Sequence, residues 1–215
     1  MTKILENFIV FEGGDGSGTS TQLALLEQKF GENCLPNLVF HRTFEPTDGP
    51  IGKLIRSALQ KAIVVQPQTL ARLFSADRSE HLFAQNGILS RCQHGELVIC
   101  DRYVPSSLVY QGIECGDELP RSLNLAFPSP QMLLFFDIEP RIALERLNSR
   151  PSLEIYEHIE FQEKVRRRYL ALLAEYRDSG VMVETIDASQ TVEKVAQDVW
   201  RHLQKIPIIN IGTGD

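Results

Sequence analysis

The chain has 215 residues, 43% of them hydrophobic and 23% charged, with 14 Gly and 11 Pro; this ordinary globular usage excludes disorder, collagen-like repeats and coiled coils. Its 22 Lys and Arg stand against 28 Asp and Glu, for a formal net charge of −6, so a nucleic-acid-coating surface is excluded and any anionic ligand must meet a locally positive pocket. No apolar run reaches the roughly 18 residues of a membrane span, and Glu6 breaks the N-terminal run, which predicts a single cytoplasmic domain over 1–215 with neither membrane nor nucleic acid as partner.

Residues 7–11 (NFIVF) read as a strand that ends in a glycine cluster, and 20–30 follow with leucines at helical intervals. Further strands are predicted at 38–41, 97–100, 132–138 and 181–186. Their lack of strict alternation suits strands covered on both faces. Helices are predicted at 51–62, 67–90, 140–148, 158–179 and 191–204, and Gly180 is placed to end the fourth of these. Strands alternating with helices imply an α/β fold with a parallel sheet and right-handed crossovers. The tail 207–215 has no helical pattern and is expected to be peripheral. Cys34, Cys92, Cys100 and Cys115 lie at neither zinc nor redox spacing and read as buried free thiols.

Gly13, Gly14, Asp15, Gly16, Ser17, Gly18, Thr19, Ser20 and Thr21 join the first strand to the first helix, the context of a phosphate-binding loop. Glycines allow consecutive backbone N–H groups to point at phosphate oxygens, and the helix N-terminus adds partial positive charge. Gly13 and Gly18 occupy the two glycine positions of G-x-x-x-x-G-K-[ST], and Ser20 the position whose hydroxyl binds magnesium. Thr19 stands where the lysine belongs. That lysine ordinarily reaches the β and γ phosphates, and a neutral hydroxyl cannot supply its charge, so the motif alone leaves a ligand-free glycine turn open. The dinucleotide fingerprint G-x-G-x-x-G fails in either register, because Thr19 or Thr21 falls at its last glycine.

Asp101 and Arg102 follow a strand end, where an open α/β sheet delivers residues to its ligand crevice. The aspartate could hold magnesium through water and the arginine could clamp a phosphoryl group; a surface ion pair is the plainer alternative. Phe74 and Arg78 are four apart and share a helix face, so a ring and a planar donor could meet one flat ligand, although Phe74 alone reads as core. Glu45-Pro46 with Arg56 could bring another cation to a phosphate. Arg146 and Arg150 face one way near Pro151 and suit a flap over phosphates. The run Arg166-Arg167-Arg168 reads as a solvated face.

Together these stretches resemble the thymidylate kinase family, enzymes that phosphorylate dTMP. The resemblance is carried by FIVFEGGDGSGTSTQ (8–22), TFEPTDGPIGKLIR (43–56), LFSADRSEHL (73–82), DRYVPSSLVYQG (101–112), FFDIEPRIALERLNSR (135–150) and IDASQ (186–190). It implies a P-loop NTP hydrolase-like three-layer fold with a five-stranded parallel sheet, and a small flap around 146–157. It implies transfer of phosphate from ATP to dTMP, with magnesium at Ser20 and Asp101, in a homodimer. Residue by residue, Asp15 would lie near the acceptor's sugar and phosphate, while Arg102 and Arg56 would bind that phosphate. Phe74 and Arg78 would hold the thymine by stacking and hydrogen bonding. Ser107, Tyr110 and Gln111 would line the nucleoside pocket, flanked by Glu45 and Pro46. Gly16 after Asp15 is not arginine, which matches the arrangement with catalytic arginines in the flap, here Arg146 and Arg150, and Arg150 would supply the charge missing at Thr19. A catalytically impaired nucleotide-binding homologue, or a related deoxynucleoside monophosphate kinase with shifted base preference, are the alternatives.

Overall fold

The computed structural model describes residues 3–31, 38–147 and 155–210. Strand β1 (Ile4–Gly13) passes through the glycine loop into α1 (Thr19–Gly31), and β2 (Phe40–Phe44) is followed by α2 (Pro50–Leu59), α3 (Pro67–Phe83) and α4 (Ile88–Gln93). Strand β3 (Leu97–Asp101) precedes α5 (Val104–Cys115) and α6 (Glu118–Asn124). Then come β4 (Ser129–Asp137), α7 (Pro140–Leu147), α8 (Ile155–Asp178), β5 (Met182–Asp187), α9 (Val192–Leu203) and α10 (Pro207–Asn210). The strands form one five-stranded sheet in the order β2-β3-β1-β4-β5, every pair parallel, as the alternating pattern predicts.

Because successive strand residues point to opposite faces, β1 feeds two cores. Ile9 and Phe11 pack with Leu23 and Leu26 of α1 and Val195 and Val199 of α9. Phe8 and Val10 pack on the other face with Leu82 of α3, Ile88 of α4 and Val104 of α5. Leu133 and Phe135 of β4 extend that second layer onto α8 through Val165, Tyr169 and Leu172. In-register pairing of Phe11 with Asp101, Phe44 with Asp101, and Gly13 with Phe136 brings the glycine loop, Glu45, Asp101 and Asp137 to one carboxyl edge of the sheet. This is the edge where open α/β sheets bind ligands.

Several predicted boundaries move. The stretch read as one helix over 67–90 is two, because Ala84 leaves α3 in an extended conformation (ψ 158°) before α4 begins. Strand β2 lies later than 38–41, since its polar centre, His41 to Thr43, hides an edge strand whose pairing with β3 is nonetheless regular. The helix α5 is absent from the predicted set: its buried face includes Ser107, Gln111 and Gly112 and so offers no clean apolar stripe. The tail is not peripheral over 207–210, where Ile209 of α10, with Ile206 before it, is fully buried in the first core. Gly180 has φ 89°, as a helix-ending glycine should. Cys92 and Cys100 are buried free thiols and Cys115 is half-buried, whereas Cys34 lies outside the described residues. Among the described residues no helix is long and apolar enough to cross a membrane.

Candidate active site

The glycine loop closes on itself through Ser17 N–H donating to Gly14 O (3.2 Å). A side chain at Gly13 would come within 2.4 Å of Ser17 Oγ and 3.0 Å of the Phe136 carbonyl, so only glycine lets the loop fold this tightly against β4. Gly18, at φ 87°, makes the left-handed step that turns the chain into α1. Ser20, in the first turn, donates its hydroxyl to Asp101 Oδ2 at 2.6 Å. The other oxygen, Asp101 Oδ1, is buried with no hydrogen-bond partner. Two hard oxygen donors with one carboxylate oxygen unsatisfied form a set that suits magnesium.

Beside the loop opens a cleft of about 400 Å³ lined by Asp15, Glu45, Pro46, Phe74, Arg78, Arg102, Tyr110 and Gln111, along with Leu59, Tyr103, Ser106 and Glu114. Its inner end is built around Arg78, which is 1% exposed. Arg78 Nε donates to Glu45 Oε2 (2.9 Å), Nη2 donates to Ser107 Oγ (3.0 Å) and lies 2.7 Å from Glu45 Oε2, and Nη1 donates to Asn124 Oδ1. The guanidinium is held between the rings of Tyr103 and Phe127, at 5.1 and 5.8 Å. A guanidinium carries five N–H groups, so one on Nη1 is left without a partner among the described residues. Gln111 Oε1, in the same cleft, is also buried and unpartnered. Phe74 leaves its ring half-exposed at the wall, against the core reading its sequence position suggested.

Glu45 is steadied from behind: its Oε1 lies 3.2 Å from His81 Nδ1, and His81 Nε2 lies 2.6 Å from Thr43 Oγ1. The loop after it is tied by Asp77, whose carboxylate accepts from Thr47 N and Thr47 Oγ1, both at 2.7 Å. Arg56 donates to the carbonyls of Pro46 (2.5 Å) and Thr47 (2.6 Å) and to Asp48. Its guanidinium is thus engaged in shaping that loop. Ser107 likewise sits behind Arg78, away from the cleft surface, at 3% exposure.

At the outer end, Arg102 directs Nη2 to Asp15 Oδ1 at 2.9 Å and stacks over the Tyr110 ring at 5.4 Å. It adopts φ 70°, a left-handed conformation that a non-glycine residue takes at a cost of about 1 to 2 kcal/mol. Gln162 of α8 grips the loop from the far side: its Nε2 donates to Asp15 Oδ2 (2.9 Å) and its Oε1 accepts from Asp15 N (3.3 Å). Arg166, one turn on, makes a two-pronged pair with Asp137 at 2.6 and 2.9 Å. Arg168 pairs with Asp117, so of the arginine run only Arg167, 3.8 Å from Glu163, keeps the character of a solvated face.

A second cleft of about 400 Å³ lies across the loop, lined by Gly16, Ser17, Gly18, Thr21, Gln22, Arg146 and residues of the 188–195 segment. Arg146 is committed there: Nη1 donates to the Ala188 carbonyl (2.7 Å) and Nη2 to those of Ser189 (3.1 Å) and Gln190 (3.2 Å). Thr19 is 8% exposed. Arg150 and most of the flap expected at 146–157 lie outside the described residues.

The structure therefore gathers Asp15, Glu45, Pro46, Phe74, Arg78, Arg102, Tyr110 and Gln111 in one cleft, with Ser20 and Asp101 paired beside the loop. It places Arg56 and Ser107 in supporting positions and Arg146 on the opposite side of the loop. Sequence reasoning missed Asn124, Gln162 and His81. Of these only His81, three residues after Arg78 on the same helix, left a signal in spacing.

The thymidylate kinase family model matches residues 11–199. Relatives with thymidylate kinase in their names include one from Treponema pallidum, 42% identical over 205 residues, covering 94% of this chain and 97% of its own. One from Pyrobaculum aerophilum is 40% identical over 200 residues, covering 93% and 97%, and one from Methanococcus aeolicus is 36% identical over 210 residues, covering 95% and 100%. With a family match over most of its length and these relatives alongside, the chain belongs to the thymidylate kinase family.

Proposed function

We propose that the chain transfers the γ-phosphoryl group of ATP to dTMP, giving dTDP and ADP. The observation that carries the reading is that one cleft is lined both by Arg78, which has an N–H beyond its four contacts with described residues, and by Gln111, whose Oε1 is unpartnered. Thymine presents an acceptor, O4, beside a donor, N3–H. That edge satisfies both protein groups, while cytosine presents the reverse sequence. A site with buried polar groups built for one edge rejects the ligand that leaves them unpaired. Phe74 supplies a ring to stack on the base, and Tyr110 lies against the sugar.

The acceptor phosphate then falls at the outer end, where Arg102 meets a dianion and Asp15 orients the guanidinium. ATP occupies the cleft across the loop, its phosphates on the loop's backbone N–H groups, so that donor and acceptor approach from opposite sides. This reaction asks for positioning and charge neutralisation rather than covalent help. Ser20 and Asp101 would hold magnesium, which neutralises phosphate charge when bound. Ser20 acts through its hydroxyl and Asp101 through water.

A homodimer through the α2–α3 layer is part of the reading, supported by Leu54 and Phe83, which stay 43% and 53% exposed there. So is a cytoplasmic location, which suits the unpaired thiols. An ADP-release assay with dTMP, dUMP, dCMP and dGMP tests the activity. We expect turnover with dTMP and dUMP and at least about a hundredfold lower kcat/KM with dCMP, from one donor and one acceptor left unpaired. Equal turnover of dCMP would remove the base-reading argument.

A further inference from the structure

Glu12, next to last in β1, has no part in the reading above, yet it is fully buried and is among the most heavily hydrogen-bonded side chains near the site. Its Oε1 accepts from Tyr103 N (2.8 Å) and Ser106 N (3.2 Å). Its Oε2 accepts from Ser106 Oγ (2.7 Å) and Tyr169 OH (2.9 Å). Tyr103 is the N-cap of α5 and makes no side-chain capping bond, and Ser106 is the third residue of the helix. The first N–H groups of a helix have no intrahelical acceptor. Glu12 satisfies them from a neighbouring strand, as an N-cap aspartate or serine would locally.

Arg102 stands immediately before that N-cap. Its strained backbone is held by its own N–H, which donates to the Phe11 carbonyl at 2.9 Å, one residue before Glu12. Its guanidinium reaches Ser106 Oγ at 3.4 Å, the same hydroxyl that donates to Glu12. The end of β1 thus grips the chain on both sides of the arginine.

We infer that Glu12 is a positioning residue for the acceptor-phosphate clamp: its carboxylate caps α5 from across the sheet and so holds Arg102 in its left-handed conformation, facing Asp15. This rests on the reading in which Arg102 meets the phosphate of dTMP. Phe74 and Arg78 are carried by α3, and Gln111 sits about two turns along α5 from the capped end, so loss of the cap should fall on the phosphate end of the cleft before the base end.

The test compares binding of dTMP with binding of thymidine, which lacks the phosphate, by titration calorimetry on the whole protein at about pH 8.5, above the point near 7 where Glu12 gains a proton. In Glu12→Ala the dTMP dissociation constant should rise about 10- to 100-fold, the scale of one or two lost hydrogen bonds to a charged group, while thymidine stays within about twofold. Glu12→Gln keeps an oxygen for the backbone N–H groups and turns its amide toward the two hydroxyls, which can accept. It should recover dTMP affinity to within about threefold of the natural chain. Should Glu12→Ala fail to fold, Tyr169→Phe, which removes one hydroxyl from the same carboxylate, should weaken dTMP severalfold and leave thymidine unchanged. Equal weakening of both ligands, or no weakening of either, would overturn the inference. A natural chain that bound dTMP no better than thymidine would instead remove the parent reading about Arg102.

Discussion

Arg78 and Glu45 are both withdrawn from water, at 1% and 5% exposure, and a buried ion pair stabilises only when its remaining donors and acceptors are matched. Here Asn124, Ser107 and His81 supply those matches and leave one N–H for a ligand. Glu12 faces the opposite balance. Burial pushes its carboxyl up to about 7, against the pull of the Ser106 hydroxyl, the Arg102 charge, the Tyr169 hydroxyl and the Tyr103 N–H. The folded chain therefore holds a proton that the unfolded chain releases near its ordinary 4.5. Its stabilising contribution is complete below that pH and is lost as pH rises through about 7. A shift of this size corresponds to on the order of 3 kcal/mol, and Glu12→Gln should remove that slope from the stability-versus-pH curve, measured by denaturant unfolding between pH 5 and 8. At Thr19 the missing lysine charge must come from elsewhere. If Arg150 supplies it in the transition state, Arg150→Ala should lower kcat with dTMP and ATP by roughly tenfold to 150-fold, in a steady-state assay. Unchanged turnover would reassign that role.

Among the elements, α8 couples regions far apart in the chain. Within about three turns of its start it places Gln162 on Asp15 and Arg166 on Asp137. Gln162→Leu should therefore lower kcat/KM for dTMP by about tenfold through the loss of two hydrogen bonds. Arg167→Ala, on the same helix but with only a loose contact to Glu163, should stay within about twofold. The sheet was readable because 97–100 and 132–138 are apolar runs of strand length, and the phosphate loop because its glycines sit between a strand and a helix. Helix α5 was hidden by the very residues that make it useful, since Ser107 and Gln111 turn polar atoms inward. Gln162, Asn124 and Glu12 meet partners 147, 46 and 91 positions away, separations at which no local pattern speaks. Arg56 was legible as a cation near Glu45, but not as one that binds its own loop.

Across the whole molecule, two clefts share a single wall, the glycine loop, with Arg78 and Arg102 on one side and Arg146 on the other. That wall grows from β1, and β1 lies between β3 and β4 rather than beside β2. A growing polypeptide leaving the ribosome thus exposes this central strand before either neighbour, with one flank bare until Asp101 of β3 has emerged and the other until Asp137 of β4. Non-local pairing of this kind is slow to form and open to misassociation. Fragments ending before β4 should gather into insoluble aggregates or wait on chaperones, because the glycine loop folds against Phe136 and takes its shape only once β4 is in place.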